Sequence, residues 1–132
     1  MKLGYLIPAF LWFFIILLVV SIPGSNIPKS EIFKIPHFDK LVHFSLFFVF
    51  TLLLNYGFHK QNNNSALKRY NYTIAFVSGV IYSVITEVIQ HYYIAGRSGE
   101  YLDFVANIAG IVSGVLFFRY FLKTAWAAKL SL

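Results

Sequence analysis

The sequence predicts an all-α membrane protein: a four-helix transmembrane bundle, N-in/C-in, with an interfacial loop between helices 1 and 2. Three observations carry this. The chain is 58% hydrophobic and only 12% charged, where a soluble domain runs near 25% charged. Its 132 residues divide into four apolar runs of about 20, the length that crosses a hydrocarbon core of about 30 Å. The basic residues sit at the edges of those runs, where lysines and arginines flank membrane helices. The spans fill residues 1–132 as one domain and leave no room for a second.

The first span covers residues 3–22, "LGYLIPAFLWFFIILLVVSI", which holds no charge. It is too long for the apolar part of a signal peptide, and the "PGSNIPKS" after it has no small-x-small cleavage pattern. Pro8 lies early in the span, where its missing N–H costs least. Residues 23–38 carry three prolines, a glycine and mixed charge, the signature of an irregular loop. Ile32, Phe33 and Phe38 would hold that loop to the membrane surface. The second span runs over about 39–58, a polar turn "HKQNNNSALKRYN" follows, and the third and fourth spans cover about 72–93 and 101–122. With both termini inside, the cytoplasmic side holds Lys2, Lys60, Lys68, Arg69, Arg119, Lys123 and Lys129. The outer side holds Lys29, Lys34, Lys40 and Arg97. The bias of seven to four gives the orientation.

The net charge of +6 comes from these flanking residues. They form no basic face, so nucleic-acid binding is excluded. There is no cysteine, which excludes disulfides, thiolate metal sites and cysteine nucleophiles.

Against this apolar background the stretch "TEVIQHYYIAGRSGEYLDFVAN", residues 86–107, is anomalous. It gathers Glu87, Gln90, His91, Arg97, Glu100, Asp103 and Asn107. Alternating spans bring the start of the second, the end of the third and the start of the fourth to one membrane face, which adds Asp39, Lys40 and His43. Asp39 and His43 are four apart, Glu87 and Gln90 three, Asp103 and Asn107 four, so each pair projects from one stripe of its helix. The last stripe continues through Gly110 and Gly114, where small side chains let a neighbouring helix approach closely. A carboxylate within a span is costly unless it is paired or faces a water-filled cavity. Glu87 is therefore expected within reach of His43, Lys40 or Arg97.

These residues resemble the VanZ-like family of small bacterial membrane proteins, named for a member associated with resistance to the glycopeptide teicoplanin. The resemblance rests on "DKLVHF" at 39–44, "EVIQ" at 87–90, "GR" at 96–97 and "DFVANIAGIVSG" at 103–114, over about 75 residues. It implies a multi-pass protein with an envelope role in the bacterial cytoplasmic membrane. It implies no particular reaction. The matching residues are Asp39, Lys40, His43, Glu87, Gln90, Arg97, Asp103, Asn107 and Gly110; His91 and Glu100 join the group by position alone.

Three functions fit. In the first, Arg97 and Lys40 grip an anionic headgroup and Gln90, Asp103 and Asn107 complete a binding pocket for a membrane lipid or lipid-linked envelope precursor. In the second, the same residues catalyse. Glu87, a carboxyl group among apolar neighbours, acts as general acid or base, and His43, oriented by Asp39, is its counterpart. In the third, the cluster is a structural clasp in a small subunit of a larger membrane protein complex. Asp39/His43 and Glu87/His91 together have the donors for zinc, but Lys40 and Arg97 beside them oppose a cation, and neither a metal nor a cofactor is expected. His37 and His59 read as ordinary loop residues.

Overall fold

The computed structural model describes residues 2–26, 35–62, 65–97 and 100–121. Ile32, Phe33, Lys29, Lys34, Leu122, Lys123 and Lys129, which entered the reading of the interfacial loop, the last span's end and the orientation, lie outside the described residues. The helices are α1 (Ile7–Val20), α2 (Phe38–His59), α3 (Ala66–Arg69), α4 (Asn71–Tyr93) and α5 (Tyr101–Phe121). Four segments, Leu3–Val20, Phe38–His59, Asn71–Tyr93 and Tyr101–Phe121, are long and apolar enough to cross a membrane.

The expected spans match within one or two residues, apart from the first. There Leu3–Leu6 is a 3-10 turn, Pro8 sits in the first turn of α1, and the helix stops at Val20. Within the polar turn expected after the second span stands the short helix α3. Ser65 caps it, its hydroxyl accepting from the Leu67 N–H at 3.2 Å, which satisfies one of the donors every helix start leaves free. His59 belongs to α2 rather than to the following turn, with its ring edge-on to Phe118.

The bundle buries polar residues beside an apolar core of Ile16, Val20, Phe47, Phe50 and Ile111, and is apolar without. His43, Thr51, Asn55, Ser83, Thr86, Gln90, Asp103 and Asn107 are buried, while Leu18, Ile7, Ile81 and Leu102 are at least half exposed. A hydrocarbon solvent explains this: apolar side chains lose nothing by facing lipid, and polar ones must find partners inside. Helix α2 packs against α1, α4 and α5. Helices α2 and α5 run parallel, because Lys40 meets Asp103 at one end while Thr51 lies against Gly114 further along. Helix α1 runs parallel to α4, from Phe13 beside Tyr82 to Val20 beside Gln90.

Helix α1, itself without a buried polar group, is tied in by its neighbours. The Trp12 indole donates to the Leu46 carbonyl at 2.9 Å. The Tyr82 hydroxyl donates to the Phe13 carbonyl at 2.7 Å, and its ring stacks on Phe13 at 4.2 Å. Tyr82→Phe keeps the stacking and removes the bond, which is worth about 1 kcal/mol. The melting midpoint in detergent is expected to fall by about 4 °C; an unchanged midpoint would show that this bond plays no part in docking α1.

Candidate functional site

The N-terminal ends of α2 and α5 and the C-terminal end of α4 converge at one end of the bundle, as the alternation of spans required. Asp39 and Asp103 each lie in the first turn of their helix, where a carboxylate is favoured by the free N–H groups and the helix dipole. Between them stands Lys40. Its ammonium donates to Asp39 Oδ2 at 2.8 Å, Glu100 Oε2 at 2.6 Å and Asp103 Oδ1 at 2.8 Å. An ammonium has three donors, and here all three are used. Lys40 is thus the hub that fastens α5 and the residue before it to α2. Glu100, included on position alone, earns its place.

The carboxylate oxygens of Asp39, Glu100 and Asp103 lie within 4.8 Å of one another, a spacing that also suits a cation. Lys40 takes that position with its own charge. The four donors that spacing offers to zinc are not assembled: Asp39 is committed to Lys40, and His91 is exposed, its ring edge-on to Tyr92.

One turn deeper a second chain crosses the bundle. Asn107 Nδ2 donates to Glu87 Oε1 at 2.9 Å, and His43 Nδ1 lies 3.0 Å from Asn107 Oδ1. An amide oxygen can only accept, so the His43 proton is on Nδ1 and, in the neutral ring, the lone pair is on Nε2. This corrects one expected pairing and narrows another. Glu87 is bonded to Asn107, with His43 Nδ1 further off at 3.7 Å, and among the described residues it is not bonded to Lys40 or Arg97. His43 takes its orientation from Asn107, not from Asp39. The cause is register: Asn107 lies one turn below Asp103, level with His43, whereas Asp39 lies a turn above and meets Lys40 first. The second Glu87 oxygen, Oε2, is buried without a hydrogen-bond partner among the described residues.

Arg97 is set by backbone packing. Gly96 has φ +71, a left-handed conformation that glycine adopts without strain. The loop after α1 lies directly against it: the Gly24 N–H donates to the Ala95 carbonyl at 3.1 Å, and a β-carbon on Gly24 would collide with the Gly96 carbonyl. Beside this junction a cavity of about 700 Å³ opens between the end of α1 and the first half of α2. Val19, Val20, Val42 and Leu46 give it an apolar wall, and Asp39, His43 and Arg97 a polar side. Arg97 forms no ion pair among the described residues, and its Nε is buried without a partner.

The eight residues given binding or catalytic roles from the sequence thus divide. Asp39, His43 and Arg97 face the cavity; Lys40, Asp103, Asn107 and Glu87 stand behind them. Gln90 does neither, its amide donating to the Val20 carbonyl at 3.3 Å to hold α1. Gly24 and the cavity-lining Asn26 were missed, since "PGSN" reads only as a turn. Buried Ser83 and Thr86 were also missed, although both continue the α4 stripe of Glu87 and Gln90 at helical spacing.

A family model described as VanZ/LLP1 matches residues 1–123. The chain belongs to the VanZ/LLP1 family. The match takes in the first span and its loop as well as the segments carrying the resemblance, so the cavity between α1 and α2 lies within the region this VanZ/LLP1 match covers. No curated protein and no solved structure matches the chain.

Proposed function

We propose that this VanZ-type membrane protein lies in the bacterial cytoplasmic membrane with both termini inside. In this reading its cavity opens outward and recognises a lipid-linked or headgroup-bearing envelope molecule. The observation that carries the proposal is an apolar-walled cavity of about 700 Å³ with an arginine on its polar side that no carboxylate neutralises among the described residues. That size falls within the ~300–1,000 Å³ of small-molecule sites. Arg97 is partly buried, with its Nε enclosed and unpartnered among the described residues, and such a cation favours an anion from outside. Lys40, saturated by three carboxylates, is a support rather than a second grip on the headgroup.

A photoreactive side chain in place of Val42, on the apolar wall, is expected to cross-link in intact cells to an envelope lipid identifiable by mass. Cross-links to protein alone would favour the accessory-subunit reading. For orientation, Asn62→Cys and Ala95→Cys lie at opposite ends of the bundle and are expected to differ towards an impermeant thiol reagent. Ala95→Cys should label from outside the cell and Asn62→Cys should not; the reverse pattern would invert the topology.

One observation favours catalysis as a second reading. The chain Glu87–Asn107–His43 leaves His43 Nε2 as an oriented base on the cavity wall, with Asn107 in the orienting role first given to Asp39. A chemical change in the captured molecule that disappears in His43→Gln would select it.

A further inference from the structure

Resting on the recognition reading above, we infer that the preferred headgroup is zwitterionic, a single phosphodiester carrying a protonated amine. Asp39 is the carboxylate that lines the cavity among the described residues. It shares the one ammonium of Lys40 with Glu100 and Asp103, which stand behind it, so this cluster holds two negative charges in excess. Arg97 is the only cationic side chain lining the cavity among the described residues. One guanidinium matches one phosphodiester, in the bidentate geometry arginine offers. A pyrophosphate or other multiply charged headgroup would set its further negative charge against carboxylates.

Apart from Asn26, whose amide both donates and accepts, the rest of the polar side consists of acceptors. Asp39 lines the cavity, is about half exposed and holds only a share of Lys40. His43 also lines it, with Nδ1 turned to Asn107 and Nε2 carrying no hydrogen bond to protein among the described residues. A cation donor beside two acceptors is the complement of an anion beside a donor. An ammonium satisfies both acceptors and offsets the excess negative charge, whereas a neutral hydroxyl supplies the hydrogen bond alone. The apolar wall of Val19, Val20, Val42 and Leu46 would take the acyl chains.

Native mass spectrometry of the full chain in detergent, with defined lipids added, tests this. Phosphatidylethanolamine, phosphatidylglycerol and a polyprenyl pyrophosphate share apolar tails and differ in headgroup charge. Phosphatidylethanolamine is expected to be retained at about tenfold lower concentration than phosphatidylglycerol, a preference of ~1.4 kcal/mol, and the pyrophosphate least. Asp39→Asn should erase that preference. It leaves Lys40 bonded to Glu100 and Asp103, and an unchanged melting midpoint would confirm a folded variant. If the wild-type protein retains phosphatidylglycerol or the pyrophosphate as well as phosphatidylethanolamine, the zwitterion inference is overturned and headgroup recognition stands. Retention of no added lipid would overturn both.

Discussion

Gly110→Leu is expected to remove the folded protein from the membrane. A β-carbon at this position would overlap the Phe44 carbonyl oxygen and come within 3.0 Å of the Phe48 nitrogen. Both are backbone atoms of α2, so no rotamer change can make room; the two helices must separate. Even one methylene too many in a packed core costs about 1–3 kcal/mol, and a leucine side chain adds far more volume. Separation of α2 from α5 would also pull Lys40 from Asp103 and His43 from Asn107, because these contacts lie on the same interface one and two turns away. Folded protein recovered from membranes, read by size-exclusion chromatography of a fluorescent fusion, should fall at least about tenfold, the effect of ~1.4 kcal/mol or more. Gly114→Ala should do less harm: its β-carbon would lie 2.8 Å from the Phe48 oxygen but otherwise against the Thr51 side chain. Normal recovery of Gly110→Leu would mean that α2 and α5 do not approach this closely.

Much of this interface was legible in the sequence. Asp103, Asn107, Gly110 and Gly114 recur at helical spacing, and the alternation of spans placed Asp39, Lys40 and His43 at the same end. Membrane helices make such a reading strong: their direction alternates, and buried polar residues must face inward. Partner choice was not legible. Which carboxylate meets Lys40, and whether Asp39 or Asn107 orients His43, depends on the axial offset between α2 and α5. That offset is set by how far the Gly110 groove lets α2 settle, an ångström-scale quantity that residue spacing does not contain. The cavity was hidden for a different reason. It arises where α1 ends at Val20 and the Gly24 loop docks on Gly96, a contact between backbones that leaves no pattern of polarity.

Lys40→Met and Arg97→Ala separate support from recognition. They remove the two cations at this end of the bundle among the described residues, and their expected effects are opposite. In Lys40→Met three carboxylates within 4.8 Å of one another lose their shared counter-charge. Asp103 is then left 8% exposed with no cation. Removing one partner of a buried ion pair costs about 3–5 kcal/mol; with Asp39 and Glu100 about half exposed, a loss near ~3 kcal/mol is expected, and the recovered folded protein should fall steeply. Arg97→Ala removes a side chain that forms no ion pair among the described residues and lies in a loop. Its cost in stability should stay within about 0.5 kcal/mol, so abundance and melting midpoint remain near wild type. Lipid retention should nevertheless weaken by about 10–100-fold, the loss of a charge-assisted hydrogen bond worth ~1.5–3 kcal/mol. Chromatography of the solubilised variants gives the first quantity and native mass spectrometry with added phosphatidylethanolamine the second. If Arg97→Ala is depleted from the membrane as severely as Lys40→Met, the arginine belongs to the clasp. The cavity would then hold no free cation for a headgroup, and recognition would have to lie on another surface of the protein.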